Sequence, residues 1–111
     1  MALFTLSYYR TASGKIPYEE WLKRLKDKVA RTVIARRLTR IEVGEFGDHK
    51  VVGGGVSELR VALGPGYRVY YGTMRKTAII ILIAGDKGSQ ARDIERSKVY
   101  WIDYQQRHDK E

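Results

Sequence analysis

The chain has 111 residues, enough for one domain with a small core, and 43% of them are hydrophobic. It contains no cysteine, which excludes a disulfide scaffold and a cysteine nucleophile and is typical of a reducing cytoplasm. Lysine and arginine number 21 against 13 acidic residues, and the net charge of +8 favours a polyanionic partner, namely RNA, DNA or an acidic protein. A solvated cationic surface is the alternative interpretation.

The sequence also predicts neither a membrane segment nor a metal site. No apolar run approaches the roughly 18 residues that span a bilayer, and Met1–Phe4 is followed by polar residues, so no signal peptide is expected. The two histidines, His49 and His108, lack the spacing of zinc ligands. We therefore expect one cytoplasmic domain over residues 1–111 that uses no cofactor.

The N-terminal part of the chain predicts a strand and then a helix. Residues Leu3–Arg10 alternate between the two faces of a half-buried strand. Pro17 suits the first position of a helix, and Glu19 and Glu20 favour its positive end. The apolar residues of this helix fall on one face and predict a core stripe: Tyr18, Trp21, Leu22 and Leu25.

A second helix is predicted over Lys28–Val43, with Asp27 as its N-cap and Gly44 at its end. Its expected buried stripe is Ala30, Val33, Ile34, Leu38 and Ile41.

Arginines lie mostly off this stripe, at Arg31, Arg36, Arg37 and Arg40. Arg36 and Arg40 are candidates for binding RNA phosphates. A solvated face, or a surface for an acidic partner, is the alternative.

The segment Glu45–Gly55 contains three consecutive glycines and predicts a mobile loop. It carries His49 and Lys50. His49 is a candidate acid or base if the loop lies beside a basic face, although an ordinary surface histidine is the more common case. Lys50 is a candidate substrate contact.

Residues 57–71, SELRVALGPGYRVYY, predict a β-hairpin with its loop at Gly64–Gly66. One face of this hairpin is apolar or aromatic throughout. The other face carries Arg60 and Arg68 beside Tyr70. The expected register pairs Leu63 with Tyr67, Val61 with Val69 and Leu59 with Tyr71, which places Arg60 opposite Tyr70 and Arg68 opposite Ala62.

The C-terminal part predicts a buried strand and a final helix. Ile79–Ala84 carries no charge and is expected to be covered on both faces, with Lys87 just beyond its end. The helix begins at Ser89 or Gln90 and extends to about Gln105. Its expected stripe is Ala91, Ile94 and Trp101.

The fold class is therefore α+β, in the order β-α-α-β-β-β-α. The small sheet is expected to be mostly antiparallel, with the two N-terminal helices packed on one face. The other face is either a basic rim beside an apolar strip or is covered by the last helix.

At this point the sequence resembles a known family. The run GVSELRVALGPGYRVYY, an apolar strand and then GDKGSQARDI are similar to the addiction-module killer proteins, the RelE/HigB-like toxins of type II toxin–antitoxin systems. The resemblance covers roughly residues 8–104. It implies a RelE/ParE-like fold, silencing by an antitoxin of the HigA type with a helix-turn-helix domain, and, for many members, cleavage of mRNA on the ribosome without a metal.

The resemblance also implies roles for individual residues. Arg68 matches the arginine of the superfamily motif Gly-Tyr-Arg-hydrophobic-hydrophobic-Tyr, a basic position in the active site of the nucleases. Arg60 matches a basic position on the preceding strand, and Lys87 lies near the basic position after the last core strand. The departure is at Asp86–Asp93, which contains neither the tyrosine nor the histidine that several of these nucleases place there.

For RNA cleavage, convergent cations can stabilise the charge that develops on the phosphate, and Arg68, Arg60 and Lys87 are the candidates. Glu58 or His49 is the candidate for proton transfer. Tyr70 is expected to stack on a base, to donate a proton, or only to pack across the strands. The alternatives to an endoribonuclease are a gyrase-poisoning ParE-like toxin and an inert module that titrates an antitoxin.

Overall fold

The computed structural model describes residues 2–108 of the chain. It contains five strands and three α-helices. In chain order these are β1 (Thr5–Tyr8), α1 (Pro17–Arg24), α2 (Lys28–Ile41), β2 (His49–Gly53), β3 (Val56–Val61), β4 (Tyr67–Met74), β5 (Ala78–Asp86), a 3-10 turn (Lys87–Ser89) and α3 (Gln90–His108). The fold class is α+β, as predicted.

The five strands form one sheet in the order β1-β5-β4-β3-β2. The sheet is mixed, because β1 runs parallel to β5 whereas the other neighbouring pairs are antiparallel. Since β1 and β5 point the same way, the loops that follow them lie at the same edge of the sheet.

The helices cover both faces of this sheet. Apolar side chains of α1 and α2 pack on one face, in a core that includes Tyr18, Ile34 and Ile81. Trp101 of α3 packs on the other face, with Tyr70 and Ile80. The last helix therefore covers the second face, which is one of the two arrangements that the sequence left open. The expected burial of Ile79–Ala84 on both faces is confirmed.

Helix α2 follows its prediction closely. The Asp27 carboxylate accepts a hydrogen bond from the backbone nitrogen of Ala30 at 3.0 Å, so the predicted N-cap is confirmed. Four of the five residues of the expected stripe are fully buried, and Val33 packs against them at the edge of the core.

The segment Glu45–Gly55 is not a loop throughout, which corrects the sequence prediction. Residues His49–Gly53 form β2, which pairs with β3. Gly54 and Gly55 have φ angles of 61° and 82° and turn the chain between the two strands. Two-residue hairpin turns with positive φ at both positions match the twist of the flanking strands. The glycines therefore form a tight turn where a mobile loop was expected.

The β3–β4 hairpin also has a different register from the predicted one. Val61 pairs with Tyr67, Leu59 with Val69 and Arg60 with Arg68, a shift of two residues. Pairing ends at Val61 because residues 62–66 form a turn that the Gly66 nitrogen closes onto the Leu63 carbonyl. A shift by two keeps each side chain on its face, so the predicted division into an apolar and a basic face is confirmed. The predicted neighbours Arg60–Tyr70 and Arg68–Ala62 are wrong.

The buried face of helix α3 is rotated relative to the prediction, which is confirmed only in part. Trp101 is buried and Ile94 packs against the core as expected, but Asp93 and Ser97 are buried as well and Ala91 is exposed. The helix comes close to the sheet at two glycines, because a β-carbon at Gly72 would lie 2.5 Å from the Trp101 ring and one at Gly85 would lie within bonding distance of the Asp93 carboxylate. The space left by the two glycines of the sheet, rather than an apolar stripe on the helix, determines which face of α3 is buried.

None of the helices in residues 2–108 has the length and apolar content needed to cross a membrane.

The contact between Gly72 and Trp101 leads to a test of stability. We expect Gly72→Ala to lower the free energy of unfolding by about 1–3 kcal/mol, because the new methyl group overlaps the buried indole. Urea unfolding measures the effect. The control is Thr73→Ala at the exposed next residue, for which a change within about 0.5 kcal/mol is expected. Equal stability of the two variants would contradict the close packing of α3.

Buried tyrosines predict a loss of stability in alkali. Burial, and then the Asp103 carboxylate, raises the pKa of Tyr9 to about 12, and burial raises the pKa of Tyr18 to about 12. Because folding favours the neutral form of these side chains, their contribution is complete below the ordinary pKa of 10.0 and is lost as the pH rises through 12.

We therefore expect the free energy of unfolding to fall between pH 10 and pH 12. Urea unfolding across this range measures it, and tyrosinate absorbance reports the ionisation. Native protein in which all eight tyrosines titrate together near pH 10 would contradict the prediction.

Candidate active site

A group of polar side chains lies between the sheet and the start of α3. The register of β3 and β4 places Glu58 opposite Tyr70, and Arg60 opposite Arg68. Directly opposed residues share a face of the sheet, so these four side chains form a square on the face that α3 covers. Their spacing comes from the alternation in SELR and YRVY that the sequence analysis used.

Glu58 is the buried charge of this group. Its side chain is 1% exposed, and its Oε2 lies 3.6 Å from Nε of Arg68. The Gln90 carboxamide at the start of α3 donates a hydrogen bond to Glu58 Oε2 at 3.1 Å. Removing one partner from a buried ion pair leaves an uncompensated charge, typically at a cost of about 3–5 kcal/mol. Glu58 and Arg68 therefore depend on each other for their place in the fold.

The two arginines are held differently. The Arg68 side chain is 12% exposed, and its NH1 donates to the Gly66 carbonyl at 3.0 Å. Arg60 is 38% exposed and turns toward Asp48, with 3.2 Å between NH2 and Oδ1. The Nε atoms of both arginines are buried and have no hydrogen-bond partner among residues 2–108. The Arg60 Nε is therefore an unused donor, whereas the Arg68 Nε faces Glu58 at ion-pair distance.

Tyr70 carries a further buried donor. Its hydroxyl is buried and makes no hydrogen bond of normal geometry in the described part of the chain, although the Glu58 carboxylate is close enough to act on it as an acceptor. Burial, and then the negative charges of Glu58 and Asp93, raises its pKa above the ordinary value. The hydroxyl is therefore protonated at neutral pH and can donate. A buried hydroxyl of this kind calls for an explanation, such as backbone strain, an ordered water or a catalytic role.

The structure places two further candidates at the edge of this group. Lys87 is exposed, and its Cβ lies near the same Gly66 that accepts the hydrogen bond from Arg68. Lys50 is exposed on the edge strand β2, directly opposite Glu58. Both lysines are therefore positioned to contribute positive charge near Arg68 and Glu58.

His49 does not join this group, which corrects the expectation that it lies beside the basic face. It pairs with Leu59 and so shares the face covered by α1 and α2. Its Nδ1 lies 2.8 Å from the Gly47 carbonyl, and its ring is 5.6 Å from that of Phe46. The reason is the strand at His49–Gly53, since alternation along β2 sends His49 and Lys50 to opposite faces.

Arg36 and Arg40 also lie apart from this group. Both are exposed on α2, in the helical layer on the opposite side of the sheet. They cannot bind the same phosphate as Arg68, and any contact that they make belongs to a separate surface.

Arg37, their neighbour on α2, has a structural role. Its guanidinium donates to the Arg60 carbonyl at 2.7 Å, and to the Phe46 and Asp48 carbonyls at 3.0 and 3.2 Å. It therefore links α2 to β3 and to the segment before β2.

Two residues of the polar group around Glu58, Gln90 and Asp93, were not among the site residues predicted from the sequence. Asp93 is 3% exposed and accepts a hydrogen bond from the Ser89 hydroxyl. The sequence signal was the i, i+4, i+8 spacing of Asp93, Ser97 and Trp101, which marks one helical face. A polar residue at the start of this face did not fit the expected apolar stripe.

Comparison with known proteins identifies a relative. The chain is 39% identical over 84 residues to an uncharacterized protein of Haemophilus influenzae, and the match covers 76% of this chain and 85% of the relative. The chain belongs to the same family as that protein. No family model matches the chain. This relationship assigns no activity to the chain.

The residues described also set limits on other chemistry. No group of three or more His, Asp or Glu side chains in residues 2–108 is arranged to hold a metal ion. In this chain, the group at Glu58 contains a buried carboxylate, a guanidinium and a protonated hydroxyl on one sheet face.

The Tyr70 hydroxyl gives a test of this geometry. We expect Tyr70→Phe to raise the free energy of unfolding by about 1 kcal/mol, because it removes a buried donor that makes no hydrogen bond of normal geometry. The matched control is Tyr9→Phe, which removes a hydroxyl that donates to Asp103 at 2.6 Å and should lower stability by about 1 kcal/mol. Urea unfolding of both variants measures the difference. Destabilisation of both by the same amount would show that the Tyr70 hydroxyl makes a hydrogen bond as strong as that of Tyr9.

Proposed function

We propose that this protein is the toxin of a type II toxin–antitoxin module, of the RelE/HigB-like group within the RelE/ParE superfamily, and that it cleaves mRNA on the ribosome without a metal. Its motifs resemble that group over most of the chain. The observation that supports the activity is the group of Glu58, Arg68 and Tyr70. Glu58 and Arg68 lie 3.6 Å apart beside the buried Tyr70 hydroxyl, which makes no hydrogen bond of normal geometry in the described chain.

The proposed reaction is a transesterification within the RNA. The 2′-hydroxyl attacks the adjacent phosphorus, and the bond from phosphorus to the 5′ oxygen breaks. The products are a 2′,3′-cyclic phosphate and a 5′-hydroxyl. Glu58 takes the proton of the 2′-hydroxyl, and Tyr70 gives a proton to the leaving 5′ oxygen. Arg68 stabilises the charge on the phosphate with its terminal guanidinium nitrogens, while its Nε faces Glu58.

Access to Glu58 and Tyr70, which are 1% and 0% exposed, requires a local movement of the side chains that cover them. The Gln90 carboxamide is one of these, because it donates a hydrogen bond to Glu58 at 3.1 Å. In the proposed mechanism the RNA 2′-hydroxyl replaces Gln90 as the donor to Glu58. Catalytic hydrogen bonds are often long before substrate binds, so the 3.6 Å between Arg68 and Glu58 is compatible with this role.

Basic residues around the group extend its contact with RNA. Arg60, Lys50 and Lys87 lie at least partly exposed at its edge, and each is placed to bind a neighbouring phosphate. Their combined charge attracts the ribosome-bound mRNA in the cytoplasm, where the toxin would act. The partner that silences it would be a HigA-like antitoxin with a helix-turn-helix domain.

The enclosure of the ion pair favours a second candidate. Glu58 is 1% and Arg68 12% exposed, so the pair can serve the fold alone. In that case the chain acts by binding, either as a gyrase-poisoning ParE-like toxin or as an inert module that titrates an antitoxin. Its contacts would then come from exposed residues of the helices.

The deciding experiment compares wild type with Arg68→Ala and Arg68→Lys under induced expression. We expect growth arrest and new mRNA 5′ ends in phase with codons for wild type, and a loss of both of at least 100-fold for the two variants, because neither keeps the planar guanidinium. Arg68→Lys keeps the positive charge beside Glu58, so it separates loss of chemistry from loss of folding. Circular dichroism and urea unfolding check that folding.

The charge-matched control is Lys26→Ala, an exposed residue between α1 and α2, which should arrest growth like wild type. Arrest without new 5′ ends would support gyrase poisoning, and a folded wild-type protein that causes no arrest would support the inert module. Full toxicity of a folded Arg68→Lys protein would refute the role given to Arg68.

A further inference from the structure

A cleft of about 670 Å³ opens at the edge of the sheet where β1 and β5 end. The two strands are parallel neighbours, but the chain leaves β1 toward α1 on one face and leaves β5 toward α3 on the other. In open α/β sheets whose strands are mostly parallel, ligands bind where neighbouring strands send their connections to opposite faces, and β1 and β5 are the one parallel pair of this mixed sheet. The cleft lies at such a point, between α1 and the first turns of α3.

Basic side chains line this cleft from both sides. Lys15 and Arg24 come from the segment that follows β1, whereas Arg92 and Arg96 come from α3. None of the four forms an ion pair with any other residue of the described range 2–108. Arg96 donates a hydrogen bond to the Tyr100 hydroxyl at 2.9 Å. The cations of the cleft are therefore not neutralised within the fold.

The acidic side chains of the cleft are mostly engaged elsewhere. Asp86 accepts hydrogen bonds from the backbone nitrogens of Gly88 and Ser89, at 2.8 and 3.2 Å, and Asp93 accepts one from the Ser89 hydroxyl. These bonds also occupy the free amides at the start of α3, so the helix terminus adds no anion site of its own. Glu20 is the acidic residue of the lining without such a bond in residues 2–108. Four basic side chains thus line the cleft with three acidic ones, and two of those three carboxylates are held by hydrogen bonds at the start of α3.

Two aromatic side chains complete the lining, Trp21 from α1 and Tyr100 from α3. Both are partly exposed, and each is fixed by another ring: Trp21 by Tyr67 at 6.0 Å and Tyr100 by Tyr9 at 4.8 Å. Nucleic acid bases stack on aromatic side chains that are held in this way. The volume also lies within the range of about 300–1,000 Å³ that is typical of small-ligand sites.

We propose that this cleft binds one nucleotide unit of single-stranded RNA, outside the pair of nucleotides at which the proposed cleavage occurs. Arg24 and Arg92 bind the phosphate from opposite walls, and the base lies against Trp21 or Tyr100. None of Glu58, Arg68 and Tyr70 lines the cleft, and the segment Asp86–Asp93 separates the two places. The inference names a substrate contact for the proposed function and in this respect rests on it.

Binding can be measured without cleavage. The probe is a fluorescein-labelled single-stranded RNA of ten nucleotides whose 2′-hydroxyls are all methylated, so that the proposed transesterification cannot occur. Fluorescence anisotropy with the full chain gives the dissociation constant. We expect Arg24→Ala/Arg92→Ala to weaken binding at least tenfold, because two facing guanidinium groups are lost.

The charge-matched control is Lys23→Ala/Lys26→Ala, which removes the same two positive charges from exposed residues beside the cleft. The dissociation constant of this control should stay within about threefold of wild type at the same salt concentration. The control measures the loss of general electrostatic attraction to RNA, which depends on net charge and is the same for both double variants. Equal weakening in both double variants would overturn the proposal. So would the absence of measurable binding by wild type to the methylated RNA and to adenosine 5′-monophosphate.

Two further arms separate the possible results. Displacement of the RNA by adenosine 5′-monophosphate would show that one nucleotide fills the site, whereas binding of the RNA alone would assign the site to a nucleotide within a chain. The second arm is the growth-arrest experiment described for the proposed function. If the toxicity experiment fails while the cleft variants still lose affinity, the nuclease proposal falls and the nucleotide site remains.

Discussion

The close approach of α3 to the sheet is the constraint on which the rest of this molecule depends. It is possible because β4 and β5 present Gly72 and Gly85 where other residues would present side chains, and the Trp101 ring and the Asp93 carboxylate occupy that space. Ser97, between them on the helix, is fully buried and satisfies its hydroxyl within α3, at the Ile94 carbonyl. A helix this close excludes water from the sheet face below it. Glu58 and Tyr70 are buried for this reason and not because their own segments are apolar.

Burial of the Glu58 carboxylate and the Tyr70 hydroxyl is energetically unfavourable, and apolar side chains could pack in the same space without this cost. A buried ion pair contributes little net stability compared with apolar side chains of the same volume, and a buried hydroxyl without a partner is unfavourable. Leucine in place of Glu58 and phenylalanine in place of Tyr70 would fill the same buried space without a charge or a hydroxyl. Departures from the best packing are concentrated at functional sites in many proteins. The sheet face under α3 is the place in residues 2–108 where such departures lie together, with the buried donors of Arg60, Arg68 and Tyr70 that make no hydrogen bond of normal geometry.

Much of this architecture was accessible from the sequence, since α1, α2 and the buried strand depend on local patterns. The Asp27 cap and the alternation in SELR and YRVY are short-range signals, and both were read correctly. The register of the β3–β4 hairpin was predicted wrongly. A loop of three residues (64–66) and a loop of five (62–66) both fit a sequence that contains Gly64 and Gly66. The rotation of α3 could not be derived either, since it depends on two glycines in other segments. For the same reason Gln90 and Asp93 were missed, while Glu58, Arg60, Arg68 and Tyr70 followed from strand alternation alone.

The pairing of β1 with β5 has a consequence for how the protein is made. Thr5 lies beside Ala78, so the first strand stays without a partner until most of the chain has been synthesised. Contacts between distant segments slow folding, because the intervening chain must first be closed into a loop. Gln90 and Asp93, which complete the group around Glu58, leave the ribosome later still. The group around Glu58 can therefore assemble only after α3 has followed β5 out of the ribosome.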